Sequence, residues 1–187
     1  MSGIELHTED PQDTRRVAEA LATVLRAGDL LVLDGPLGAG KTTFTQGLGE
    51  GLGVRGPVAS PTFVIARVHP SLTGGTALVH VDAYRLGGSA DLEDLDLEAD
   101  LDDAVTVVEW GRDRVEHLAD SHLLIELVRP TQVADPDRPE EPRTLRLLPS
   151  GPRWDRTATA SLARALADAG LRTAPIDPAT DTHEQED

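Results

Sequence analysis

The chain has 187 residues, no cysteine, and 33 acidic against 17 basic residues, for a net charge of −16. That length suits one α/β domain, able to bury about 70% of its unfolded surface, and leaves no room for a second large domain. The lack of cysteine excludes disulfides and zinc–thiolate sites, and the acidic balance excludes a general electrostatic grip on nucleic acid, which needs clustered cations to release phosphate counterions.

In chain order, Ile4 to His7 suits an edge strand. Asp10-Pro11 then supplies an N-cap and a residue pre-set for the first helical position, and Val17, Ala20, Leu21, Val24 and Leu25 form an apolar stripe that Gly28 stops. Asp29-Leu-Leu-Val-Leu-Asp34 is a short apolar strand. It runs into Gly35-Pro-Leu-Gly-Ala-Gly40-Lys41-Thr42, a complete match to the phosphate-binding pattern G-x-x-x-x-G-K-[ST]. Phe44, Leu48 and Leu52 follow at helical spacing.

Strand, glycine loop and helix is the order this motif requires. Gly35, Gly38 and Gly40 permit dihedrals that turn successive N–H groups, Ala39's included, toward an anion, and the opening helix adds its positive dipole end. Lys41 is the only lysine among the 17 basic residues. Its compact ammonium can reach β- and γ-phosphate oxygens inside a cradle that a guanidinium cannot enter. Thr42 would give its hydroxyl to Mg²⁺, and Thr43 could reach a phosphate nearer the base. The plain alternative is a glycine-rich turn carrying a surface lysine.

After the helix, Gly53 to Pro61 is a loop, Thr62 to His69 a β-branched strand, and Thr76 to Asp82 a second apolar strand, so the two suit a hairpin. Asp91 to Asp103 alternates acids with leucines like a short acidic helix, either a solvated face or a dock for a basic partner. Ala104 to Trp110 is a buried strand. Ser121–Val128 and Arg143–Leu148 look like paired antiparallel strands around a Pro-rich tip over 130–142, and Trp154 to Ala169 is a last amphipathic helix. Thr173 to Asp187 is acidic and poor in large apolar residues, which predicts a disordered tail beyond a single domain over 1–172. The six histidines show no ligand spacing, and the start has no basic segment leading into an apolar run, so a cytoplasmic protein without membrane contact is expected.

A phosphate cradle binds nucleotide, but hydrolysis also needs a carboxylate near Mg²⁺ and a group to orient water. Asp82 and Glu109 each end an apolar run, and in open α/β sheets ligands bind outside the carboxyl ends of the parallel strands. Asp82 would hold Mg²⁺ directly or through water. Glu109 would be a second metal-shell acid or the water-orienting base. Each also has a structural alternative, as a helix cap or an ion pair with Arg85 or Arg112. Ser60-Pro-Thr62-Phe63 stands where switch-type nucleotidases sense the terminal phosphate, and Thr62 could reach Mg²⁺ or that phosphate, or simply form a turn. Tyr84 and Trp110 adjoin the two acids, as core filler, stacking groups or a partner contact. With no Asn and no second Lys, the chain lacks the N-K-x-D guanine reader, so ATP is favoured over GTP.

With these residues in hand the sequence resembles the TsaE family, the P-loop ATPases of bacterial tRNA threonylcarbamoyladenosine modification. Four segments carry the likeness in order: Gly35 to Phe44, Ser60-Pro-Thr-Phe63, His80-Val-Asp-Ala-Tyr-Arg-Leu86 and Val108-Glu-Trp110. The first is common to many proteins; the other three together are specific. The resemblance implies a P-loop NTPase fold with a mixed, centrally parallel β-sheet flanked by helices. It implies that Lys41, Thr42 and Thr43 bind the phosphates of ATP or ADP and Mg²⁺, that Asp82 is a metal-shell acid, and that Glu109 and Thr62 support hydrolysis. It also implies the partners TsaD and TsaB, which modify an adenosine of tRNA, with the ATPase resetting their assembly between turnovers and meeting tRNA only through the complex. Pro36 departs from the acid usual there. The rival readings are a small-molecule kinase, for which Arg112 and Arg114 are the compact lid candidates, and a nucleotide-gated module with negligible turnover.

Overall fold

The computed structural model describes residues 3–61, 65–85, 101–129 and 142–176. One eight-stranded sheet runs through the molecule. Its strands are β1 (Gly3–Thr8), β2 (Leu30–Asp34), β3 (Ala66–His69), β4 (Ala77–Asp82), β5 (Ala104–Glu109), β6 (His122–Val128), β7 (Arg143–Ser150) and β8 (Thr173–Ile176), in the spatial order β3-β4-β5-β2-β6-β7-β1-β8. The neighbours β4, β5, β2 and β6 are parallel, while β3 and the β7-β1-β8 wing pair antiparallel. The expected mixed sheet with a parallel centre is what forms.

Period-two alternation sorts the strands' side chains. Leu31 and Leu33 of β2 join Val105, Val107, Leu123 and Ile125 on one face. There they meet Val17 and Leu21 of α1 (Pro11–Ala22), Phe44 and Leu48 of α2 (Lys41–Leu52), and Leu162 and Leu166 of α3 (Arg156–Asp168). Leu30, Val32, Val79, Val81 and Val108 face the opposite way, onto Leu101 and Val115. Residues buried on both faces explain why the central strands read as unbroken apolar runs. Among the described residues no helix is long and apolar enough to cross a membrane.

The Asp10 side chain caps α1 by accepting from the Asp13 N–H at 2.7 Å. The helix does not run on to Gly28. It closes at Thr23, whose hydroxyl and N–H both turn back onto the Ala20 carbonyl, and Val24 and Leu25 pack on the core from the following loop. The loop is held by Asp29, which accepts from the Arg26 N–H at 2.9 Å, a local bond that competes with further helix.

Two other expectations are corrected. β1 is not at the edge, because β8 pairs along its outer side with Ile4 opposite Pro175. The stretch from Thr173 is therefore strand at least to Ile176, and the unpaired backbone groups of β1 supply the partner that composition could not show. Pro175 is tolerable there because an outermost strand leaves one row of N–H groups unused. The acidic helix expected over Asp91 to Asp103 and the tip expected over 130–142 fall outside the described residues, except for 101–103 and Pro142, as does the tail from 177.

At the end of the sheet away from the glycine loop, Arg153 clamps Asp29 with two bonds, Nε to Oδ1 at 2.7 Å and Nη2 to Oδ2 at 2.8 Å. Arg153 also reaches the Val24 carbonyl and lies over the Trp154 ring. This pair ties the α1–β2 loop to the turn that opens α3. Asp29→Ala would leave a largely buried guanidinium without its carboxylate, so it is expected to cost about 3 kcal/mol, read from the urea midpoint at unchanged m-value.

Candidate active site

The parallel register sets β2, β4 and β5 to end at one level: Leu33 pairs with Glu109, and Glu109 with Asp82. The glycine loop leaves this rim between β2 and α2. Gly35 has φ 142°, and a Cβ there would sit 2.4 Å from the Leu127 carbonyl oxygen. Gly40 caps α2 in the left-handed region with φ 106° and offers no side chain, so the first-turn N–H groups keep no side-chain acceptor. The Ala39 N–H closes a turn onto Pro36 at 3.1 Å.

Lys41 is 5% exposed. Its ammonium donates to the Gly35 carbonyl at 2.6 Å and the Pro36 carbonyl at 3.0 Å, and lies 3.5 Å from the centroid of the Trp110 ring. Burial pushes its pKa below the ordinary lysine value, against the opposing pull of Glu109, Asp34 and Asp82. The unusual Pro36 lends the lysine only its carbonyl, which every residue has.

Glu109 and Asp82 stand side by side, each less than a tenth exposed. The Thr42 hydroxyl lies 3.1 Å and 3.3 Å from the two oxygens of Glu109. Asp82 accepts from the Ser60 hydroxyl at 3.0 Å and from the Tyr84 N–H at 3.1 Å. A third group was not anticipated: His80, wholly buried, has Nε2 2.8 Å from Glu109 Oε1. Two residues apart on one strand, His80 and Asp82 share a face, and that alternation was the one sequence signal available. Thr62 lies outside the described residues, with Ser60 the nearest described hydroxyl of its loop.

The structural alternatives fare differently. Arg112 does not pair with Glu109; its Nη1 donates to Asp34 at 3.2 Å and to Glu126. Arg114 donates to the Ala83 carbonyl at 2.6 Å. Tyr84 is not core filler, being 68% exposed, and its ring stands 5.2 Å from that of Trp110. Trp110 itself has φ 63°, a strained value for an aromatic residue, held by its N–H on the Leu33 carbonyl at 2.9 Å.

Together these groups line a cleft of about 570 Å³, formed by residues 37–43, Ser60, Asp82, Tyr84, Glu109 and Trp110. Among the described residues no three His, Cys, Asp or Glu side chains could hold a metal by themselves. The hard oxygens of Thr42, Asp82 and Glu109 instead suit a Mg²⁺ ion that shares its shell with phosphate oxygens. The uncapped helix start and buried ammonium suit those phosphates.

A family model described as threonylcarbamoyl adenosine biosynthesis protein TsaE matches residues 8–137. The chain belongs to the TsaE family. A Streptomyces coelicolor relative named tRNA threonylcarbamoyladenosine biosynthesis protein TsaE is 57% identical over 141 residues, 75% of this chain and 93% of its own. Its namesake in Bacillus subtilis is 38% identical over 130 residues, 69% of this chain and 80% of its own. The crystal structure of Bacillus subtilis YdiB superposes with a TM-score of 0.66 at 29% identity, covering 88% of this chain and 97% of that one. The TsaE match ends within the 130–142 segment, so β7, α3 and β8 lie beyond it.

Gly35→Ala is expected to destabilise this TsaE-family fold by about 2 kcal/mol or more, because the new methyl meets backbone rather than a side chain that can turn aside. Thermal unfolding of the two proteins under one condition would read the loss.

Proposed function

We propose that this chain is a Mg²⁺-dependent ATPase that serves tRNA threonylcarbamoyladenosine modification in the cytoplasm, acting with TsaD and TsaB to support repeated turnover. The observation that carries the reading is the buried Lys41 ammonium at the uncapped start of α2, facing Asp82 and Glu109 across one cleft. The names of the relatives supply the pathway. The net charge of −16 favours partners, rather than this chain, as the surface that meets tRNA.

In this reading the N–H groups of the glycine loop and of the first turn of α2, with Lys41, bind the β- and γ-phosphates, and Thr43 reaches the phosphate nearer the base. Bound Mg²⁺ would supply charge neutralisation at the phosphate oxygens. Thr42 and Asp82 would hold that ion. Glu109 orients the attacking water and accepts its proton, directly or by relay, and Thr62 supports it from the following loop. Thr42 must first release Glu109, so the hydroxyl now shared between the two is an element that ligand binding has to change. ATP is preferred to GTP because the chain has neither Asn nor a second Lys with which to build the N-K-x-D reader.

The kinase reading loses its support, because Arg112 and Arg114 are engaged by Asp34, Glu126 and the Ala83 carbonyl instead of standing free over the cleft. The test is ATP hydrolysis by the purified protein with Mg²⁺, alone and with a TsaB–TsaD pair from the same source. Stimulation by the pair is expected. Lys41→Ala should abolish nucleotide binding, whereas Glu109→Ala and Asp82→Ala should retain it and lose roughly 100-fold in turnover, the scale of removing a proton-handling or electrostatic group. Wild-type turnover in both acid variants, or a phosphorylated second product, would overturn the proposal.

A further inference from the structure

His80 is a buried side chain at the site that the ATPase reading leaves without a task. It sits on β4 in the parallel centre of the sheet, on the face that carries Asp82, with Val107 of β5 opposite. Its imidazole is 0% exposed. Nε2 lies 2.8 Å from Glu109 Oε1, and Nδ1 has no hydrogen-bond partner among the described residues. An ionised carboxylate only accepts, so the hydrogen between the two belongs to Nε2. A hydrogen on Nδ1 as well would bury an N–H with nothing to receive it. The contact is thus an Nε2–H donating to a carboxylate.

The same carboxylate has one further described partner, Thr42, whose hydroxyl is 3.1 Å from Oε1 and 3.3 Å from Oε2. The two partners differ in kind. Thr42 opens α2 and reaches into the cleft, whereas the ring of His80 is fixed in the core by the strands on either side of it. When Thr42 turns to a ligand, His80 remains. We infer that His80 is the positioning residue of Glu109: its Nε2–H pins Oε1, so that the carboxylate keeps its orientation and presents Oε2 to the cleft once Thr42 lets go. The inference rests on reading Glu109 as the carboxylate of an ATPase. A histidine kept only for packing would direct its single hydrogen bond to backbone or leave its place to an apolar side chain. Here that bond goes to the most buried acid of the cleft.

Glutamine can place an amide N–H near the position of Nε2, whereas asparagine is too short and phenylalanine has no donor. In the partner-stimulated assay, His80→Gln should stay within about threefold of the wild-type kcat, since the donor to the carboxylate survives. His80→Asn and His80→Phe should lose roughly 10- to 100-fold in kcat, the range for removing the group that orients a metal- or water-handling ligand, with ADP affinity little changed. On a Glu109→Ala background His80→Asn should bring no further loss in single-turnover rate. Independently of activity, ¹⁵N NMR of the nucleotide-free protein should find the hydrogen of His80 on Nε2, and faster exchange of that hydrogen in Glu109→Ala.

A hydrogen on Nδ1 in the wild type, wild-type kcat in both His80→Asn and His80→Phe, or a full additional loss on the Glu109→Ala background would overturn the inference while leaving the ATPase reading intact. A wild-type protein that hydrolyses no ATP even with its partners would overturn that reading, and the catalytic meaning of the His80 contact with it.

Discussion

Three neighbouring parallel strands, β4, β5 and β2, ending at one level are the constraint from which the site follows. A parallel pair has a fixed register, and here it puts Leu33, Asp82 and Glu109 on one rim even though they are far apart in the chain. The turn out of β2 must then happen where the acids already stand. Gly35 makes that turn at φ 142° against the Leu127 carbonyl, a space with no room for a methyl group. The helix that follows points its open end at the acids because β2 and α2 are joined by so short a loop. Side-chain chemistry is added to a geometry that the backbone has already imposed.

What could be read in advance was local. The glycine loop is legible because its pattern, its strand and its helix are contiguous, and Asp82 and Glu109 because a carboxylate that ends an apolar run is placed by the run itself. What escaped reading depends on pairing between distant segments. His80 has no spacing to Glu109 that a sequence scan would notice, yet the β4–β5 register brings their side chains to 2.8 Å. Thr173–Ile176 has a single large apolar side chain, Ile176, and becomes strand because the outer side of β1 offers a ladder. The clamp of Arg153 on Asp29 joins residues that no local rule connects, in a chain so rich in arginine that no single one stood out. Gly28 misled for the opposite reason. It satisfies a local rule for helix ends, but the hydroxyl of Thr23 and the carboxylate of Asp29 divert the backbone before it is reached.

The described state of the loop also says what a ligand must compete with. The ammonium of Lys41 has exchanged water for two carbonyls and the face of Trp110. Neutral carbonyls and a ring quadrupole satisfy a cation only in part, which is why burial still lowers its pKa despite three carboxylates nearby. A phosphate oxygen carries formal charge and makes stronger bonds to the same ammonium. On the proposed reading, exchange of carbonyl for phosphate would therefore be favourable at Lys41, and its consequence would spread, because the carbonyls given up belong to Gly35 and Pro36, the two residues that shape the loop's entry.

The acids are coupled to the same event. Asp34, Asp82 and Glu109 all pull on Lys41 electrostatically, so phosphates arriving beside the lysine raise the negative charge that the two cleft acids must share. On the proposed ATPase reading, that arrangement would bind nucleotide poorly unless a cation came with it, and like-charge repulsion as much as coordination would favour the metal complex of a nucleotide over the free anion. Asp34 is partly withdrawn from this contest by Arg112, which bridges it to Glu126 on β6. The repulsion is left concentrated on Asp82 and Glu109, the two carboxylates whose neighbours Ser60 and Thr42 are hydroxyls able to turn from carboxylate to ligand.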